Sequence, residues 1–298
     1  MSSARLFRAK FQSDYKKVRL FMLRTAAYFV PSHKIQVPVT IAHLSDLHGF
    51  SQAPGPEKIL KAVRRTPPDI IALTGDMVDG RTRDFKPVLE LCRRLAGLAP
   101  CFFVPGNHEQ ALASAVYRDF LSEMSASGVT VLNNSRQYLS VHGQNLAVAG
   151  LVTPLSTYKE RLAEKLLHLE VTDSHLKKAL GPCPKNLFTL LLYHNPLRFP
   201  VCARWGADLT LAGHVHGGVV RLPLAGGLLS PDVTLFPFWD GGRYVSGHKA
   251  MVVSRGLGNN FLRRINNPPE IGIITLTSYQ TGTAGWTPAD PPKASNQP

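Results

Sequence analysis

The sequence predicts an α/β chain built in layers around a mixed β-sheet. Three observations carry this. Short apolar runs bounded by turn residues alternate with helical patterns from residue 37 to about residue 212. Several of those runs end in Asp, Asn or His. The last third turns mostly β, its short runs joined by Gly- and Pro-rich loops. Alternation followed by a mostly-β stretch argues for helices layered on a mixed sheet.

Residues 1–30 read as one basic amphipathic helix. Phe7, Phe11, Tyr15, Val18, Met22, Ala26 and Phe29 recur at steps of three and four. Arg5, Arg8, Lys10, Lys16, Lys17, Arg19 and Arg24 stand against Asp14 alone. Such a helix suits an anionic membrane surface; the alternative is a stripe packed on the protein's own core. Pro31 closes it. Strands are expected at 39–44, 69–74 and 101–104, with helices at 57–65, 84–95 and 113–127 between and after them. Short strands follow at 129–132, 138–141 and 146–151, then helices near 159–169 and 173–180. Further strands are expected at 187–193, 209–212, 219–222, 250–254 and 271–277. Residues 278–298 are polar, hold Pro288, Pro291 and Pro292, and read as a disordered tail. No repeat or linker divides the stretch 37–277, so it reads as one domain.

Lys plus Arg exceed Asp plus Glu by 34 − 20 = 14. That excess favours anionic partners. Cys92, Cys101, Cys183 and Cys202 form no CxxC pair, and free thiols in a reducing compartment are expected. No apolar run reaches the roughly 18–20 residues that span a bilayer, and no cleaved signal is read. The expected location is cytoplasmic, peripheral on the inner face of the membrane.

The residues that suggest chemistry sit where strands end. Ile70-Ile71-Ala72-Leu73 runs into Thr74-Gly75-Asp76, and in open α/β sheets the carboxyl ends of strands are where ligands bind. The other runs end in Asp46 and His48, in Asn107, His108 and Glu109, in His194, and in His214 and His216. Residues two apart on extended chain point to one side, so Asp46 with His48, and His214 with His216, can each chelate. A mixed carboxylate, imidazole and amide set suits Mn, Fe or Zn better than Mg or Ca. Seven residues (Asp46, His48, Asp76, Asn107, His194, His214 and His216) suit two cations sharing a carboxylate, for which Asp76 is the candidate. Two such cations clamp both oxygens of an in-line phosphoryl displacement and acidify a bridging water, which attacks as hydroxide without a covalent intermediate.

In this order the motifs Asp-x-His, Gly-Asp-x-x-Asp, Gly-Asn-His-Glu, His and Gly-His-x-His resemble those of the calcineurin-like metallophosphoesterases, over about residues 39–277. The stretch 237–276, with Val253-Ser254-Arg255-Gly256-Leu257-Gly258 and Asn267-Pro268-Pro269-Glu270, looks like a bacterial branch of them. That branch holds broad phosphodiesterases and membrane-associated pyrophosphatases acting on UDP-2,3-diacylglucosamine in lipid A synthesis. The resemblance implies a four-layer sandwich, two mixed sheets between helices. It implies Asp46, His48, Asp76 and His216 at one metal, and Asp76, Asn107, His194 and His214 at the other, with Mn favoured. It makes His108 the catalytic histidine, oriented by Glu109, and Asp79 a supporting residue.

Arg221, Arg255, Arg263 and Arg264 follow the His-x-His loop and are candidates for a second phosphate, Arg221 and Arg255 foremost; a solvated basic edge is the alternative. Phe236, Phe238, Trp239 and Phe261 suit an acyl chain, a lid or a stacked nucleic-acid strand. The expected function is hydrolysis of phosphodiester or pyrophosphate bonds on a phosphorylated, membrane-associated substrate, with no specific nucleic acid. A broad soluble phosphodiesterase or nuclease is the alternative. A non-catalytic scaffold predicts lost ligand residues, and here the full set is present.

Overall fold

Successive side chains of a central strand enter two different cores, and this builds the layers. A computed structural model describes residues 22–158, 171–218, 220–222, 226–229, 235–259 and 263–279. In β2 (Val39–Leu44), Val39 and Ile41 enter one core while Ala42 and Leu44 enter another. Ile70 and Ala72 of β3 (Ile70–Leu73) oppose Ile71 and Leu73 in the same way. A strand covered on both faces is apolar throughout, which is why these runs show no polar alternation in the sequence.

One sheet has the order β1 (Arg24–Pro31), β14 (Glu270–Thr277), β2, β3, β4 (Cys101–Phe103), β5 (Thr130–Val131). The other runs β12 (Gly242–Ser246), β13 (Lys249–Val253), β9 (Leu209–Ala212), β8 (Phe188–Leu192), β7 (Gln144–Gly150), β6 (Ser135–Val141). They pack face to face through Ile41, Phe102, Val148, Leu190, Leu211 and Ile274. Helices α1 (Pro56–Arg65), α2 (Lys86–Ala96) and α4 (Ser114–Ala126) cover the outer face of the first sheet. Helices α5 (Asp173–Leu180) and α6 (Phe199–Trp205) cover the second. The result is the expected four-layer sandwich. β2, β3 and β4 are parallel, as are β7, β8 and β9, so each sheet gathers its carboxyl ends on one edge. A short α3 (Asn107–Gln110) follows β4, and a ribbon of β10 (Val220–Leu222) and β11 (Gly226–Leu229) leaves the loop after β9.

Two boundary expectations are corrected. The helix expected over 1–30 does not reach its end: Arg24–Pro31 is a strand, parallel to β14 over eight pairs from Arg24↔Glu270 to Pro31↔Thr277. Ala26 and Val30 are buried while Phe29 is 63% exposed, the period of a strand. Ala26 and Phe29 were spaced for a helix, yet they lie on opposite faces. The domain therefore starts by residue 24, not residue 37. Residues 1–21 and the helix expected near 159–169 lie outside the described residues, as do 280–298 of the expected tail. Ser278 and Tyr279 are described, and Tyr279 stacks on His33 at 4.3 Å. The strands β11 and β12 and helix α6 were not expected. The four cysteines are free.

Candidate metal centre

Every strand named above for a ligand-type residue stops just before it. The chain then turns sharply, and the turns are strained. Asp46, His48, Asp76, His214 and His216 have φ of 55°, 49°, 53°, 72° and 53°. Left-handed backbone at non-glycine residues costs on the order of 1–3 kcal/mol each. Such strain gathered at five residues of one constellation is what a functional site shows. Two glycines allow the loops to close: a Cβ at Gly213 would collide with Ser45 Oγ and Asp46 Oδ2, and one at Gly106 with Asp76 Oδ1.

Three groups of ligand-type side chains result among the described residues; one joins His48 to Asp79 and His108, and the other two hold the expected ligands. Asp46, His48 and His216 form one, Asp76, His194 and His214 the other, the ligating atoms of each lying within 4.8 Å of one another. In the first, His48 Nε2 is 3.1 Å from His216 Nε2 and His216 Nε2 is 3.4 Å from Asp46 Oδ1. In the second, His194 Nε2 is 3.1 Å from Asp76 Oδ2. The clusters adjoin, since His194 Nε2 is also 4.0 Å from Asp46 Oδ1. Asn107 opens α3 beside Asp76, whose Oδ1 accepts the His108 N–H at 2.8 Å. His108 Nε2 lies 3.9 Å from Asp76 Oδ2, and its ring meets that of His48 edge-on at 4.8 Å.

The outer nitrogens are held from behind. His194 Nδ1 faces Thr74 O at 2.5 Å and His216 Nδ1 faces Gly258 O at 3.2 Å. His48 Nδ1 is 3.5 Å from Asp79 Oδ2. Partners of this kind fix a ligating imidazole's tautomer and aim. Burial lowers the His194 imidazole, but the charge of Asp76 and its contact, with Asp46 and Thr74, outweigh that and push it up to about 9. Burial, with His48 beside it, holds His216 well below the usual histidine range. Opposite directions in neighbouring imidazoles mark charges crowded into one dry space.

The residues fit divalent cations. Asp46 Oδ2 and Asn107 Oδ1 are buried acceptors without a hydrogen-bond partner, a condition that costs about 1–3 kcal/mol per group. Both belong to converging carboxylate, imidazole and amide donors, the set transition metals take.

Glu109 does not orient the His108 ring. Its carboxylate accepts N–H bonds from Asp76 (2.9 Å), Met77 (2.6 Å), Val78 (3.1 Å) and Gly106 (2.8 Å). It therefore pins the loop that carries Asp76. The arginines are engaged elsewhere. Arg221 pairs with Asp240 at 2.9 Å, and Arg255 Nε lies 3.6 Å from Glu270. Arg264 is 2% exposed and donates to Gly258 O.

Sequence reasoning missed two neighbours, Tyr158 and Asn267, and read a third, Arg264, for another role. Tyr158 is buried, its ring 5.1 Å from that of His214. Asn267 donates to His216 O at 2.5 Å, and Arg264 supports the same carbonyl, Gly258 O, that faces His216. None follows a strand, so strand-end logic passed over them; the Asn267-Pro268-Pro269-Glu270 run was the available signal for Asn267.

The calcineurin-like phosphoesterase family model matches residues 39–218. The Bacillus subtilis (strain 168) protein named uncharacterized metallophosphoesterase YkuE is 29% identical over 242 residues, 80% of this chain and 77% of that one. The Escherichia coli (strain K12) protein named phosphodiesterase YaeI is 27% identical over 251 residues, 80% of this chain and 82% of that one. Among solved structures, a putative 5'-nucleotidase from Staphylococcus aureus superposes with a TM-score of 0.48 at 12% identity, over 84% of this chain and 56% of that one.

Proposed function

The chain belongs to the calcineurin-like phosphoesterase family, and on that premise we propose that it is a dinuclear hydrolase opening a phosphodiester or pyrophosphate bond on a lipid-linked substrate at a membrane. The observation that supports this is the adjoining pair of clusters, Asp46–His48–His216 and Asp76–His194–His214. Asp46, His48, His216 and Asp76 would hold one cation, and Asp76, Asn107, His194 and His214 the other. The mixed donor set favours manganese. When bound, two such cations neutralise phosphoryl oxygens and make water a nucleophile near neutral pH.

The chain's own residues do the rest. Glu109 and the His108 N–H hold Asp76 in place. The His108 ring, with a third of its side chain exposed, reaches the departing oxygen and protonates it. Support for a diester comes from the name of the Escherichia coli relative. Support for a lipid-linked substrate comes from the charge of +14 and from exposed apolar side chains, including Phe236 and Phe238, on the chain that follows the His214–His216 loop. UDP-2,3-diacylglucosamine joins a pyrophosphate to acyl chains and is the substrate to try first. The inner face of the cytoplasmic membrane is the corresponding location.

The test is Mn-loaded protein assayed on UDP-2,3-diacylglucosamine and on bis-p-nitrophenyl phosphate. Cleavage of neither overturns the reading; cleavage of the second alone removes the lipid. Metal analysis checks the shared ligand: Asp76→Ala should lose both cations and His48→Ala mainly one.

A further inference from the structure

The Asp76–His194–His214 cluster has a buried phenol beside it. Tyr158 ends a 3₁₀ turn, Leu155–Tyr158, on the chain that leaves β7. The residue is 3% exposed. Its ring meets the His214 ring edge-on at 5.1 Å and is tilted against the His194 ring at 5.9 Å. Those two imidazoles are themselves 5.4 Å apart. The same turn packs beside α3, the helix that carries Asn107 and His108. Tyr158 thus stands at His194 and His214, with α3 alongside.

A buried network fixes the ring there. Asn195 Nδ2 donates to Thr157 O at 2.8 Å, Thr157 Oγ1 lies 2.7 Å from Thr153 Oγ1, and Thr153 Oγ1 lies 3.0 Å from Tyr193 Oη. All four residues are buried. Tyr193 and Asn195 flank His194 in the chain, so one set of hydrogen bonds places Tyr158 and His194 relative to each other. The network serves the ring and not its hydroxyl. Tyr158 Oη is buried and has no hydrogen-bond partner among the described residues. Gln110 comes near it but gives its amide to Gly106 O at 3.2 Å. A phenylalanine would fill the same space without stranding a polar group. Burial first, and then the charges of neighbours that include Asp76 and Glu109, hold the phenol well above its usual range. Asn107 Oδ1, another buried atom without a partner, is an acceptor and suits a cation. A phenol is a hydrogen-bond donor at neutral pH and suits an anionic oxygen.

We propose that Tyr158 is a substrate-binding catalytic residue: its hydroxyl donates a hydrogen bond to an oxygen of the phosphoryl group bound at Asp76, Asn107, His194 and His214. The proposal rests on the dinuclear reading and adds a contact to it. The division of labour with His108 is one of proton fate. His108 gives its proton to the departing oxygen, whereas Tyr158 keeps its own and bears on an oxygen that stays with phosphorus. Hydrogen bonds to a charged oxygen are among the stronger ones. A donor fixed in advance by buried neighbours needs no rearrangement as charge builds on that oxygen.

The experiment is calorimetric titration of the Mn-loaded full chain with inorganic phosphate, beside metal analysis and melting curves, for the wild type and Tyr158→Phe. The variant should keep the manganese content of the wild type and melt at the same temperature or above it. It should bind phosphate about tenfold to a hundredfold more weakly, the share of one hydrogen bond to a charged group. A role confined to ring packing predicts no change, because phenylalanine keeps the ring; unchanged phosphate affinity therefore overturns the proposal. Loss of manganese in Tyr158→Phe overturns it too, since the hydroxyl would then serve the cation and not the phosphoryl group. The two readings fall separately. A wild type that holds manganese and phosphate, matched by the variant, removes the role of Tyr158 and leaves the dinuclear reading standing. A wild type that takes up no manganese, or binds no phosphate once loaded, removes both.

Discussion

His108 is held by its main chain, and the proposed function has it act through its ring. Its N–H donates to Asp76 Oδ1 at 2.8 Å, a contact that any residue but proline keeps. His108→Ala should therefore retain both cations and lose turnover by roughly 10²–10⁴-fold, the range of a general acid. Metal analysis beside steady-state rates checks this, and loss of metal in the variant would move His108 into the ligand set. His43 makes a different prediction, about stability. It is wholly buried, with Nε2 2.7 Å from Thr74 Oγ1, and burial lowers it to about 3. Unfolded, it binds a proton near pH 6.5; folded, it stays neutral. Its contribution is thus complete above about pH 6.5 and is lost as pH falls from there toward 3, at up to about 1.4 kcal/mol per pH unit. Urea titrations of the metal-free protein between those limits should show a shallower loss in His43→Gln than in the wild type. Parallel curves would mean that His43 takes no part.

At the scale of elements, the loops after strands decide whether the site forms. Gly213 follows β9 and lies against Ser45 and Asp46, which follow β2 in the other sheet. Both neighbours are fully buried, so neither can yield. Gly213→Ala should push Asp46 off its position, cost about 1–3 kcal/mol through overpacking, and lower both metal content and turnover. A variant with normal metal content would show that the two loops are less closely fitted. The same elements explain what could be read beforehand. Strands such as 39–44 and 209–212 were legible because burial on both faces makes them apolar runs. Asp46, Asp76, His194 and His216 were legible because each comes within a few residues of such a run's end. Arg24–Pro31 was not: an edge strand with Ala26 and Val30 inside and Phe29 outside mimics helical spacing once Met22 and Val18 are counted with it. The role of Glu109 was hidden for another reason. Three of its four N–H donors, those of Asp76, Met77 and Val78, come from a loop some thirty residues earlier in the chain, and spacing says nothing of that. Arg264 read as a surface cation because its burial depends on Gly258 and Asp46, brought to it only by the fold.

For the whole molecule, β1 joins the N-terminal stretch to the sandwich, and this sets where the chain can be cut. β1 closes the first sheet beyond β14 and buries Ala26 and Val30 in the core between the sheets or at its edge. Tyr28 Oη donates to Glu270 at 3.1 Å, and Arg24 lies 3.9 Å from the same carboxylate. The edge of the second sheet is tied to it as well, since Arg243 of β12 donates to Phe29 O at 2.9 Å. Removing residues 2–31 takes all of this away, leaves Glu270 buried without Tyr28, and exposes the whole of β14, eight residues long, to pairing with other chains. Loss of a buried Val alone costs on the order of 1–3 kcal/mol, and a buried carboxylate stripped of a partner costs about as much again. The deletion of 2–31 should therefore melt well below the wild type and aggregate. Removal of residues 2–21, which ends before β1, should leave the melting temperature close to that of the wild type. The shorter deletion should also bind anionic vesicles less tightly, because six basic residues go with it. Melting curves and light scattering of the two proteins, side by side, check the boundary. Equal stability of both would mean that β1 is dispensable and that the domain begins, as the sequence had suggested, near residue 37.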